Sequence, residues 1–287
     1  MRFEAPETVD AAVALLAGEA GTAYPLSGGT DLLVQMRSGR IAPDLVVDTK
    51  RIAALREIAR EGGGWRVGAA VSGAEINEHA GLMADWPGLA EAANLVGSTQ
   101  VAGRATLAGN LCTASPAADT VPAMAAAGAL ARIAGPEGRR EIPVEDVPTG
   151  VQKNALAKGE MIEAIVMPER AARSADCYLR FIPRTEMDIA VVGCAVNLSL
   201  DAQGRVSAAK VALGAVAPTV VVVADAATAI IGTTLDDAAL DALAAACEAA
   251  CNPIDDKRGT VAFRTEVAGT LARRAALKAR DRAEGKA

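Results

Sequence analysis

Two stretches of the chain combine residue types and spacing that suit chemistry. The first, "YPLSGGTDLL" from Tyr24 to Leu33, places Ser27, Gly28, Gly29, Thr30 and Asp31 between apolar residues. Gly28 and Gly29 offer successive amides with no Cβ in the way. The helical periodicity of "DLLVQMRSG" behind them aims first-turn amides at the same point, an arrangement that holds anions. By its own composition the stretch reads first as an ordinary turn, with a phosphate cradle as the alternative. Asp31 would repel a phosphate if it pointed inward, so it reads as an early-helix charge or as a group bonded to the loop backbone.

The second stretch, "QVAGRATLAGNLCTASPAAD" from Gln100 to Asp119, is dense in small and hydroxyl residues. Thr106, Leu107, Ala108, Gly109 and Asn110 supply another set of amides, and Ser115, Pro116 and Asp119 a polar wall. A buried Gly/Ala-rich packing segment is the competing reading. Neither stretch has the G-x-G-x-x-G spacing of the doubly wound dinucleotide fold, with its acidic residue about 20 positions on, and no G-x-x-x-x-G-K-[ST] loop occurs.

Side chains for bond chemistry are sparse. His79, the only histidine, lies in "AEINEHAGLM" and reads as an exposed helix residue, which leaves no partner for a Ser-His-Asp or Cys-His arrangement. The pairs Asp236-Asp237 and Asp255-Asp256 fall at a helix start and in a loop, where capping is their expected role. Five scattered cysteines, an odd number, argue against a disulfide framework. Cys247 and Cys251 share a helical face but lack a second ligand pair, so they read as core thiols, and no metal site is expected. No catalytic residue is assigned. A bound cofactor would supply what the chain lacks.

Composition narrows the classes further. Aromatics are 2% of the 287 residues, too few for stacking single-stranded nucleic acid, and the net charge of −6 offers no basic field for a polyanion, so no nucleic-acid partner is expected. The N-terminus lacks the basic start and apolar run of a secretory signal, and no run of about 18 uncharged apolar residues is present, so no membrane span is expected. The expectation is a soluble cytoplasmic protein.

The elements that must position these residues are α+β. "PETVDAAVALLAGEAG" reads as a helix capped by Thr8, followed by a strand in "AYPLSGG". Short β-rich runs occupy 45–71, with "GGG" at 62–64 as a hairpin loop. Residues 72–96 read as two short helices around Pro87, and 120–131 as an Ala-rich helix facing a core. The polar run 168–176 is the candidate linker between a domain at 1–168 and a second at 175–287. The second holds a β-meander, turning at Asp201–Gly204, and two helices at 236–250 and 260–283.

Five runs, "FEAPETVDAAVALL", "PLSGGTDLL", "RATLAGNLCTASPAADTVPA", "YLRFIPRTEMDIAVVGCAV" and "DDKRGTVAFRTEVAGTLARRA", stand in one order along nearly the whole chain. In that order they resemble the FAD-binding medium subunit of molybdenum hydroxylases, a family that includes carbon monoxide dehydrogenase and the flavin domain of xanthine dehydrogenase. The resemblance implies a vanillyl-alcohol-oxidase-type FAD-binding domain of two α+β subdomains, followed by a C-terminal flavin-subunit domain with a three-stranded antiparallel sheet and helices.

It further implies that amides of Ser27, Gly28, Gly29, Thr30 and Asp31, with those of Thr106, Leu107, Ala108, Gly109 and Asn110, hold the FAD pyrophosphate. Asp119 would bond the adenosine ribose, Val101 and Ile162 match apolar positions beside the cofactor, Tyr178 matches an aromatic that shields the flavin ring, and Arg180 stands where relatives carry a lysine near that ring. Ala108 replaces a glycine of the family's T-I-G-G-N, and Val101-Ala102-Gly103 replaces isoleucine, arginine and asparagine. These departures put the local loop geometry in question.

The implied activity is that of an oxidoreductase subunit. A large molybdopterin subunit oxidises substrate, a small subunit with two-iron two-sulfur clusters relays electrons, and FAD in this chain passes them to an external acceptor. The implied assembly is a dimer of heterotrimers. No four-cysteine insertion is present, so no cluster is expected in this chain. A flavin-free scaffold subunit of the same complex is the rival reading, and retention of Gly28, Gly29 and Gly109 weighs against it.

Overall fold

The computed structural model describes residues 1–185 and 187–286; Glu186, inside the run "YLRFIPRTEMDIA", and Ala287 lie outside the described residues. The chain opens with β1 (Arg2–Glu4) and α1 (Val9–Gly18). Thr8 caps α1 by accepting from the Ala11 amide at 3.2 Å, and Val9, Ala12, Val13 and Leu16 form its buried stripe. β2 (Ala23–Leu26), α2 (Leu32–Arg37) and β3 (Leu45–Asp48) follow. The three strands make a parallel sheet in the order β1-β3-β2. Central β3 buries Leu45, Val46 and Val47 in succession, as a parallel strand covered on both faces must. Leu26 pairs with Asp48, so the segments leaving β2 and β3 emerge side by side, Ser27–Gly29 from one and Thr49–Lys50 from the other.

β4 (Ile58–Glu61) and β5 (Gly64–Gly68) form the hairpin that "GGG" foreshadows, with Gly62 and Gly63 at φ +57° and +82°. The region 72–96 holds three helices rather than two: α3 (Gly73–Glu78), α4 (Ala80–Asp85) and α5 (Pro87–Asn94). Pro87 opens α5. The other break, at His79, is marked by neither glycine nor proline. His79 leaves helical backbone geometry, its Nδ1 accepts from the Leu82 amide at 3.1 Å, and its ring meets Trp65 edge-on at 4.9 Å. It is therefore a half-buried cap between two helices, not the exposed helix residue that the sequence suggests.

Next come α6 (Thr99–Ala102), α7 (Leu107–Cys112) and α8 (Thr120–Ala127). α8 is shorter than the expected 120–131 because Gly128 turns the chain left-handed at φ +74°. After it run β6 (Leu130–Gly135), β7 (Gly138–Pro143), the small ribbon β8 (Pro148–Gly150) and β9 (Lys153–Asn154), and β10 (Met161–Met167). The second sheet is antiparallel, in the order β4-β5-β10-β6-β7.

The C-terminal part is a meander of β11 (Ser174–Phe181), β12 (Val192–Leu200) and β13 (Val206–Gly214). The two-residue β14 (Val221–Val222) adds a fourth strand to the three expected. α9 (Ala224–Ile230), α10 (Asp237–Ala249) and α11 (Val261–Ala283) cover one side. Strand alternation assigns residues to the two faces. Cys177, Cys194, Val196, Val211 and Leu213 pack with Leu240, Leu243, Cys247, Leu271 and Ala275 of the helices. Tyr178, Ala195 and Ala212 join the core of the N-terminal part instead. α8 lies against that second face, and all eight of its residues are buried.

Burial pushes the Cys247 thiol up to about 12 and Cys251 to about 11, which keeps both as protonated core groups. No helix among the described residues is long and apolar enough to cross a membrane.

Candidate functional site

The two glycine-bearing stretches meet. A Cβ on Gly28 would lie 1.9 Å from the carbonyl oxygen of Arg104, so only glycine allows this approach. Gly29 takes φ +76°, and its carbonyl accepts from the Leu33 amide at 3.1 Å, which starts α2. The Ser27 hydroxyl shares a 2.8 Å hydrogen bond with buried Thr49, tying the loop after β2 to the end of β3. Thr30 and Asp31 are exposed. Asp31 accepts from Gln35 Nε2 at 2.5 Å and from the Thr113 hydroxyl at 3.4 Å, so its charge is directed along α2 and toward the end of α7.

On the other side Thr106 caps α7. Its hydroxyl accepts from the Gly109 amide at 2.9 Å and its carbonyl from the Asn110 amide at 2.9 Å. Of the first-turn amides, which have no intrahelical acceptor, that of Leu107 faces the antiparallel bridge between Ser72 and Thr106, and that of Ala108 then remains. Ala108 sits within α7, outside the left-handed region, so its methyl group is accommodated there. Val101 is half-buried in α6 against Gly97.

Between the stretches lies a cavity of about 260 Å³ lined by Ser27, Gly28, Lys50, Arg56, Glu75 and Arg104, among others, with Arg56 and Glu75 paired at 3.6 Å. Lys50 donates to the Ser27 carbonyl at 3.2 Å and to Asp48 at 2.6 Å. Sequence reasoning missed Lys50, Arg56 and Arg104. The available signal for Lys50 was its place just past a parallel strand, since ligands of open parallel sheets gather at the carboxyl ends of their strands.

A second cluster joins Asp119, Tyr178 and Arg180. The Tyr178 hydroxyl donates to Asp119 Oδ1 at 2.8 Å, and Arg180 donates to Oδ2 at 2.7 Å. Burial pushes the Asp119 carboxyl up to about 6, against the pull of Arg180 and the Tyr178 hydrogen bond. Arg180 Nε is buried without a partner among the described residues. Tyr178 is 2% exposed, its ring packed in the core of the N-terminal part.

Asn110 connects the two clusters. Its Oδ1 accepts from the amide and hydroxyl of Thr120, at 3.2 and 2.6 Å, and Thr120 follows Asp119 directly. Ile162 is buried in the same N-terminal core as Leu107 and Ala108, at the irregularity of β10.

The carboxyl ends of a parallel sheet, two glycine loops and a buried acid–arginine pair, spread over an α+β unit and a meander, make up a two-part α+β fold with a candidate anion site. A family model described as the FAD binding domain in molybdopterin dehydrogenase matches residues 1–170, and one for the CO dehydrogenase flavoprotein C-terminal domain matches residues 177–279. The chain belongs to the FAD-binding subunits of molybdopterin dehydrogenases, oxidoreductases of the carbon monoxide dehydrogenase and xanthine dehydrogenase type.

Among its relatives is the carbon monoxide dehydrogenase medium chain of Afipia carboxidovorans, 31% identical over 98% of this chain and 97% of that one. The xanthine dehydrogenase FAD-binding subunit of Escherichia coli is 31% identical over 68% of this chain and 67% of its own. A solved Cu,Mo-CO dehydrogenase superposes with a TM-score of 0.94 at 31% identity, covering 98% of both chains. Quinoline 2-oxidoreductase from Pseudomonas putida gives 0.90 at 27% identity, covering 100% of this chain and 98% of that one.

Proposed function

We propose that this chain is the electron outlet of a cytoplasmic molybdenum hydroxylase, working with a large molybdopterin subunit and a small subunit of two-iron two-sulfur clusters in a dimer of heterotrimers. The observation that carries the reading is the approach of Gly28 to the Arg104 carbonyl beside a cavity lined by Lys50, Arg56 and Arg104 and by one carboxylate, Glu75. A scaffold subunit has no use for it. The residues fit FAD on two counts. Gly28 lets the two loops close on each other where any Cβ would meet the Arg104 carbonyl, and Arg180 keeps a buried Nε donor with no acceptor among the described residues.

When bound, FAD supplies a carrier that takes electrons singly and gives them up singly or as hydride. The protein holds and tunes it. Ser27–Asp31 and Thr106–Asn110 offer amides to the pyrophosphate, with Ala108 the open donor of the second set. Lys50 and Arg104 add positive charge at the same cavity. Val101 and Ile162 give apolar surroundings, and Asp119, both of whose oxygens go to Tyr178 and Arg180, serves the flavin end with Arg180 rather than the adenosine ribose expected of it. Arg180 places a cation where reduced flavin carries negative charge.

Reconstitution of the flavin-free chain with FAD, followed by its visible spectrum, tests the reading. Stoichiometric flavin bands are expected, and their absence leaves the scaffold reading. Gly28→Ala must displace one loop from the other and should weaken FAD at least ~10-fold, as about 1.4 kcal/mol of lost binding does. Arg180→Ala should lower the reduction potential of the bound flavin; an unchanged potential removes that role.

A further inference from the structure

The face of the C-terminal sheet turned toward α8 has a composition that packing alone does not explain. Tyr178 and Arg180 on β11, Gly193 and Ala195 on β12, and Ala212 and Gly214 on β13 alternate onto it, with Arg180 paired to Gly193 and Gly193 to Gly214. A Cβ on Gly193 would lie 2.6 Å from the Tyr178 hydroxyl, and one on Gly214 would lie 2.7 Å from Pro122 Cγ of α8. The two glycines thus leave a trough that seats the tyrosine hydroxyl and lets the N-terminal end of α8 approach. At that end stands Asp119, held on one oxygen by Tyr178 and on the other by Arg180. Arg180 spends one terminal nitrogen on this bond, and its Nε remains buried without a partner among the described residues.

We propose that Tyr178 is a positioning residue. Its hydroxyl reaches from the C-terminal part of the chain to fix the Asp119 carboxylate of the N-terminal part, and that carboxylate orients the Arg180 guanidinium toward the cofactor. The inference rests on the FAD reading of the site, and it assigns the tyrosine a task other than covering the flavin ring. A hydroxyl donor and an aromatic cover make opposite demands on Tyr178→Phe, because phenylalanine keeps the ring and loses only the donor. The glycine at 193 belongs to the same device, since any Cβ there displaces the hydroxyl.

The test uses the full-length chain with FAD as the probe. Dissociation constants are taken from flavin fluorescence and the reduction potential of the bound flavin from redox titration. Tyr178→Phe should raise the FAD dissociation constant roughly tenfold, the effect of losing one hydrogen bond to a charged group, and should shift the flavin potential. Combining Tyr178→Phe with Asp119→Asn should cost much less than the sum of the two, because both break one chain of contacts. Gly193→Ala should reproduce the Tyr178→Phe loss with the tyrosine retained. Wild-type affinity and potential in Tyr178→Phe, or full additivity in the double variant, overturns the positioning role. If Tyr178→Phe does not fold, Gly193→Ala decides alone, and wild-type affinity and potential there overturn it equally. A wild-type chain that takes no FAD would instead overturn the reading of the site.

Discussion

The two faces of the C-terminal sheet are made by the same strands and differ in almost every respect. Toward α9, α10 and α11 the strands present Cys177, Cys194, Val196, Val211 and Leu213, large or medium apolar groups that fill a dry core. Toward α8 they present Tyr178, Arg180, Gly193, Ala195, Ala212 and Gly214, where small residues keep a neighbouring helix close and two polar side chains reach across. The first face is built for stability, the second for placement. A period of two lets one segment of sequence carry both tasks without compromise between them.

Substitutions on each face should separate stability from cofactor binding. The largest effect is expected for Leu213→Ala on the helix side: the leucine is fully buried, and its truncation should cost about 2–5 kcal/mol of folding stability. FAD affinity of the folded fraction should be unchanged, as denaturant unfolding and flavin titration would report. Gly214→Ala reverses the pattern. Its methyl group meets Pro122 of α8, an overpacking cost of about 1–3 kcal/mol, and by pushing the start of α8 it should also weaken FAD. Equal FAD affinity in the two variants would erase the distinction between the faces.

The smallest effect, over any one pH unit, belongs to Asp119. Its carboxyl titrates at about 6 in the folded chain against 3.8 for the free group, so between these values the folded chain keeps a proton that the unfolded chain has lost. Stability of the flavin-free protein therefore falls as pH rises through that window, by at most about 1.4 kcal/mol per pH unit. Denaturation of wild type and Asp119→Asn across the window checks it, since the variant should lack this slope.

Much of the fold was legible in the residues because the signals are local. Thr8 caps its helix, "GGG" turns its hairpin and Asp201–Gly204 closes the meander, each through contacts with chain neighbours. Local signals also mislead where a residue serves in an unusual way. His79 separates two helices through a ring nitrogen bonded to the backbone, which no glycine or proline announces. The two glycine loops could be suspected from composition, but the joining of Lys50, Arg56 and Arg104 around one cavity could not, because they come from three separate segments of the chain.

The sequence by itself determined the alternation of the strands, the capped helices and the bare amides at Gly28 and Gly29, since these depend on residue type and on separations of a few positions. Only the tertiary structure decided that the Arg104 carbonyl rests against Gly28, that Tyr178 is enclosed rather than open, and that Asp119 divides its oxygens between Tyr178 and Arg180. Those outcomes depend on which surfaces pack together, and the environment of a buried polar group is set by the neighbours that packing brings to it rather than by the residues beside it in the chain.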